Sequence, residues 1–136
     1  MRFISESGRE RVVKHPKKYL INWKAKSLSK FQKSVKDFLF PYWGEDVVFE
    51  EFPMVGTRMK FDFYNASKKI IIEVSGEQHL KYNKFMHGGN KLNFLEQLKR
   101  DNRKQKFCNI NNITFVEIFP KDKVDKAFFE QYEIYL

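Results

Sequence analysis

Two apolar runs, Lys60-Phe61-Asp62-Phe63-Tyr64 and Ile70-Ile71-Ile72-Glu73-Val74-Ser75, are spaced like the arms of a hairpin, and each carries one carboxylate. Successive side chains on a strand point to opposite faces. The alternation puts Phe61 and Phe63 on one face and Asp62 on the other. It groups Ile70, Ile72 and Val74 on one face, and Ile71, Glu73 and Ser75 on the opposite one. A turn centred between Ser67 and Lys68 sets Asp62 directly across from Glu73. The unbroken run Ile70-Ile71-Ile72 predicts a central strand covered on both sides.

The rest of the pattern supplies the partners of this hairpin. Ser29 is an N-cap for a helix whose apolar positions Phe31, Val35, Phe38 and Leu39 recur at helical spacing. Pro41 and Gly44 are expected to end it. Residues 47–52 read as a strand, 59–64 as a second and 68–75 as a third. Residues 76–90, rich in Gly, Asn and Lys, read as a loop. A long helix is expected over about residues 91–109, a fourth strand over 113–118 and a terminal helix over about 123–132. The order is α-β-β-β-α-β-α. It predicts an α/β domain over residues 27–136, a mixed four-stranded sheet flanked by helices. Residues 1–26 are basic and poorly periodic, with Pro16 breaking any long helix. They read as an arm whose second half is anchored by Tyr19, Ile21 and Trp23.

Composition narrows the class of partner. The chain of 136 residues is 42% hydrophobic and 17% aromatic, enough for one real core and too apolar for a disordered tail. Lys and Arg total 26 against 17 acids, a net charge of +9. That excess favours a polyanion, nucleic acid before an acidic membrane surface. No apolar run approaches the ~20 residues that span a bilayer, and the N-terminus has no apolar signal core. A single cysteine, Cys108, excludes an intrachain disulfide and a cysteine-rich zinc site. The expected location is cytoplasmic.

Two acids facing each other on an apolar sheet repel and are costly to desolvate. A divalent cation such as Mg²⁺ or Mn²⁺ relieves that cost, and the anion to meet it in a basic protein is a phosphodiester. Glu50 or Glu51 is placed to face the same site from the first strand. On the long helix, Asp101 interrupts an apolar stripe formed by Phe94, Leu98 and Cys108, with Lys104 one turn on and Leu92 and Leu95 off the stripe. His79, just past the strand exit, has an ordinary pKa suited to proton transfer.

A strand Asp, a spacer and a hydrophobic strand ending in Glu, all preceded by a helix, resemble the PD-(D/E)XK nuclease superfamily. The tail Ile-Glu-Val-Ser-Gly-Glu-Gln-His, a Gly-Gly loop and Lys99-Arg100-Asp101-x-x-Lys104-x-x-x-Cys108 look like the branch near very-short-patch repair endonucleases and their phage-encoded homing relatives. The resemblance covers roughly residues 27–118. It implies a restriction-endonuclease-like core and a metal-dependent DNA endonuclease, acting in the host cytoplasm if phage-encoded. Asp62, Glu73 and the Val74 carbonyl would hold the metal, with His79, Asp101 and Lys104 completing the catalytic set. Lys60, Gln78, Lys81, Lys84, Arg100, Arg103, Lys17 and Lys18 are candidates for contacts with nucleic acid. Three positions depart from the pattern. Ser75 stands where the motif Lys is usual, Phe61 rather than Pro precedes Asp62, and Gln32 replaces a metal-binding Glu of the first helix. The same fold could serve a structure-selective nuclease, such as a homodimeric junction resolvase or a head-completion nuclease, an RNA-directed nuclease, or a DNA-binding module without catalysis.

Overall fold

A computed structural model describes residues 1–75 and 89–136, apart from the side chains of residues 89–91, 93 and 94. Two hairpins start as β1 (Arg2–Ile4) with β2 (Glu10–Val12), and β3 (Val48–Pro53) with β4 (Lys60–Asn65). Helix α1 (Lys30–Trp43) lies between them in the chain, and β5 (Ile70–Val74) follows. Helix α2 (Gly89–Ile110), β6 (Thr114–Ile118) and α3 (Lys126–Glu130) complete the order. The main sheet runs β3-β4-β5-β6. Its first three strands are antiparallel neighbours, and β6 pairs parallel to β5. A parallel pair needs a long crossover, and the connection between β5 and β6 contains α2. β5 is an inner strand, as its unbroken isoleucines predict, and all three are buried.

The β4–β5 register is fixed at the turn. The Asn65 side chain accepts from the Lys68 amide at 2.9 Å and donates to Asp46 at 2.9 Å, while Lys69 takes a left-handed φ of 55°. Asn65 then pairs with Ile70 and Phe63 with Ile72, so the next pair along is Asp62 and Glu73.

Each side of the sheet has its own core. Val35, Leu39 and Trp43 of α1 pack with Val48, Phe63, Ile70, Ile72 and Val116, joined by Phe129 of α3. On the other side, Phe107 and Cys108 of α2 pack with Phe52, Phe61, Tyr64 and Ile71. Full burial of each large apolar side chain contributes about 1.5–3 kcal/mol.

Four expectations are corrected. Phe61 and Phe63 do not share a side: Phe61 meets Phe107, with ring centroids 5.5 Å apart, while Phe63 joins the α1 core. The register is continuous from Glu50↔Phe63 to Phe52↔Phe61, skipping Glu51 and Asp62. Glu51 sits in the left-handed region at φ 53°, so alternation slips by one on both strands at this facing pair. Phe49 and Phe52, three residues apart, consequently enter the same core. Second, residues 1–13 are no loose arm. Phe3 and Val13 are buried in the α2-side core, and the Asn111 side chain bonds both the amide and the carbonyl of Ile4 at 2.7 and 2.9 Å. Three-residue strands are too short to display a period. Third, α1 runs through Pro41 to Trp43, where the Gly44 amide reaches the Phe40 carbonyl at 2.9 Å. Burial of Trp43 holds that last turn despite the missing proline donor. Fourth, Leu98 is half-exposed, so the stripe through Asp101 is covered only towards its C-terminal end at Cys108. The Phe94 side chain lies outside the described residues.

Candidate active site

The ladder between β4 and β5 stops one pair short of Asp62 and Glu73, and side chains take over from it. The Asp62 amide donates to Glu73 Oε1 at 3.0 Å, and the Val74 amide donates to Asp62 Oδ2 at 2.7 Å. Each carboxylate thus binds the main chain of the opposite strand, which holds the two acids together. Lys104 reaches in from α2 and places Nζ 2.8 Å from Glu73 Oε2, and the same Nζ lies 5.8 Å from the centroid of Phe61. Both members of this ion pair are nearly buried, with side-chain exposures of 13% and 9%.

The electrostatics are unbalanced. Burial pushes the Asp62 carboxyl up to about 8, helped by the charge of Glu73 and, to a lesser extent, Glu51, and opposed by the Val74 amide. Burial also raises Glu73, with Asp101 adding to the rise and Lys104 opposing it. The two acids therefore titrate as a pair that holds a proton more readily than two free carboxyls, with Lys104 opposing this at Glu73. Cys108, buried behind the pair, is pushed up to about 12 and stays a thiol.

Of the predicted site residues, Asp62, Glu73 and Lys104 are brought together, and the charge of Asp101 acts on Glu73. His79, Gln78, Lys81 and Lys84 lie outside the described residues. Ser75 is tied into the sheet. Its amide donates to the Ile118 carbonyl at 2.8 Å and its hydroxyl to Glu117 at 3.4 Å, and the ammonium paired with Glu73 is that of Lys104. Lys60 is exposed at the start of β4, as are Lys17 and Lys18 on a 3-10 turn (Pro16–Tyr19) and Arg100 on α2. Arg103 is already engaged, because its guanidinium grips Glu6 at 3.0 and 3.1 Å.

A second polar network lies on the α1 side. The buried Gln32 donates to Glu50 at 3.0 Å and to Glu51 at 3.1 Å. Lys36, fully buried, donates to Glu50 at 2.8 Å and to the Ala25 carbonyl at 3.0 Å. Sequence reading missed Lys36: a lysine in the sequence KSVKDF reads as solvated. Its helical spacing from Val35, Leu39 and Gln32 was the available signal.

The donors offered to a cation are hard oxygens: the Asp62 and Glu73 carboxylates, with the Val74 carbonyl as the expected third. This chemistry fits a divalent ion such as Mg²⁺, and a raised Asp62 is the signature of an acid that a cation would relieve. Among the described residues, however, no group of three or more His, Cys, Asp or Glu side chains surrounds a common point. Among the described residues, such an ion would rest on two carboxylates and backbone oxygen.

No family model matches the chain, and no solved structure does. Two viral proteins are similar to part of it. Uncharacterized protein 307L of Invertebrate iridescent virus 6 is 37% identical over 60 residues, 44% of this chain and 30% of that protein. Uncharacterized protein 033L of Invertebrate iridescent virus 3 is 30% identical over 66 residues, 48% of this chain and 34% of that protein. The chain thus spans about a third of the length of the curated relatives it matches. No described helix is long and apolar enough to cross a membrane.

Proposed function

We propose that the protein is a metal-dependent endodeoxyribonuclease with a restriction-endonuclease-like core, and that Asp62, Glu73 and Lys104 form the centre of its site. The supporting observation is the reciprocal Asp62–Glu73 arrangement: two nearly buried carboxylates on inner strands, with Lys104 paired to Glu73. A sheet built only for stability gains nothing from a second buried acid that a single lysine cannot neutralise. Glu73 also lies near the carboxyl end of β5, where α/β sheets place ligands. When bound, a divalent ion supplies Lewis-acid polarisation of the phosphoryl oxygen. Asp62 and Glu73 would hold the ion as carboxylates, and Glu73 is oriented by its bond from the Asp62 amide. Lys104 sets a positive charge where negative charge develops on the phosphate. The excess of lysine and arginine supports a polyanionic substrate.

Asp62→Ala should abolish Mg²⁺-dependent cleavage of DNA, tested on both plasmid and single-stranded substrates, while leaving DNA binding intact or tighter, since it removes an acid from a surface that meets phosphate. A second reading needs no turnover. Mg²⁺ should raise the melting temperature of the parent at pH 8 and leave Asp62→Ala unmoved. Equal cleavage by the two proteins, together with equal melting shifts, would remove the site from consideration.

A further inference from the structure

We infer that a groove on the α1 side of the site takes an unpaired polynucleotide strand, a substrate class that rests on the nuclease reading above and deepens it. Two cavities, of about 350 and 470 Å³, run side by side here and share Lys26, Ser27 and Leu28 as walls. The smaller is floored by Glu50 and Glu51. Glu51 lies across from Asp62 in the strand register, and its charge reaches the Asp62 carboxyl. Glu51 therefore links the groove wall to the strand pair that carries Asp62.

The lining alternates in character. Lys18 is followed by Tyr19 and Leu20, and Lys26 by Ser27 and Leu28, before Lys30. Lys18, Lys26 and Lys30 are exposed, and so are Leu20 and Leu28, at 50% and 78%. Lysines suit phosphates, while exposed apolar side chains suit the faces of bases. Base faces are available only when the strand is unstacked, as a duplex hides them in its interior. The acids of the floor do not cancel the lysines. Glu50 is already neutralised by Lys36 behind it, and Asp37 at the far wall is paired with Lys33 at 2.7 Å. Glu51 is left as the acid nearest the proposed site.

Fluorescence anisotropy in EDTA separates this inference from catalysis. The probes are labelled oligothymidylate, labelled oligouridylate and a labelled duplex with the same number of phosphates. The parent should bind one or both single strands more tightly than the duplex. Leu28→Asp combined with Lys26→Glu, both on exposed side chains, should weaken single-strand binding about tenfold or more and duplex binding much less. Circular dichroism verifies the fold of the variant. Equal losses on all three probes, or no loss on any, would overturn the groove as a single-strand path. Because the assay contains no metal, its failure leaves the Asp62→Ala cleavage test standing, and failure of that test leaves the groove standing as a binding surface.

Discussion

The sheet carries a nearly buried lysine–glutamate pair on each side, and the two have the same length and opposite characters. Lys36–Glu50 and Lys104–Glu73 both span 2.8 Å. Around Lys36–Glu50 the polar groups are satisfied: Ser27 donates to Glu50 at 2.6 Å, Gln32 donates to it as well, and the Ala25 carbonyl takes a second bond from the ammonium. Around Lys104–Glu73, among the described residues, a second acid, Asp62, shares the pocket. A buried pair with all partners present fixes geometry. A buried pair with an extra acid is short of positive charge, and that shortage is what a cation or a reaction can use.

The sharpest way to break the comparison is to delete each lysine. Lys36→Met leaves Glu50 desolvated without its cation and should destabilise the fold by about 3–5 kcal/mol, read by urea denaturation. Lys104→Met should cost less, about 1–3 kcal/mol at pH 5, because Glu73 is already raised and can take up a proton in place of the lysine. The order reverses in function: Lys104→Met should lose cleavage far more than DNA binding. Equal stability losses at pH 5 would mean the two pairs do the same job.

Proton linkage sharpens the contrast further. Asp62 is raised from 3.8 to about 8 in the folded chain. Between those values the folded state holds a proton on Asp62 that the unfolded state has released. Stability from this group is therefore present below about pH 3.8 and is lost as pH rises towards 8, with a slope that approaches ~1.4 kcal/mol per pH unit. Glu73 is raised too and acts in the same direction. In EDTA the parent should lose melting temperature from pH 5 to pH 8, and Asp62→Asn should flatten that loss. A parent curve no steeper than that of Asp62→Asn would mean that Asp62 titrates as an ordinary surface acid.

The facing of Asp62 and Glu73 was legible because strand parity and a symmetric turn depend only on counting residues. The switch of sides at Phe61 was not. It arises where Glu51 adopts a left-handed backbone opposite Asp62, and no residue type there announces it, since glutamate rarely adopts that conformation. Lys104 was legible as a charge on the stripe of Asp101, but its reach to Glu73 depends on how α2 lies across the sheet. The N-terminal hairpin was hidden by its brevity. Its two core residues, Phe3 and Val13, lie among exposed charges, and their burial means that removing residues 1–18 would open the α2-side core rather than trim a free arm.

The smallest expected effect comes from the exposed counterpart of the two buried pairs, Arg103–Glu6. It links α2 to the β1–β2 turn, and its side chains are 48% and 31% exposed. An exposed pair contributes about 0–1 kcal/mol, so Glu6→Gln should shift the denaturation midpoint little. The same change frees the Arg103 guanidinium and removes one negative charge from a protein of net charge +9. With the guanidinium freed to meet phosphate, DNA affinity should rise modestly at low salt. The plot of log affinity against log salt should steepen by up to ~0.9, the increment for one added phosphate contact on duplex DNA. Isotherms at several salt concentrations give that slope directly. An unchanged slope with unchanged affinity would assign the Arg103–Glu6 pair to fastening the hairpin against α2 and nothing more.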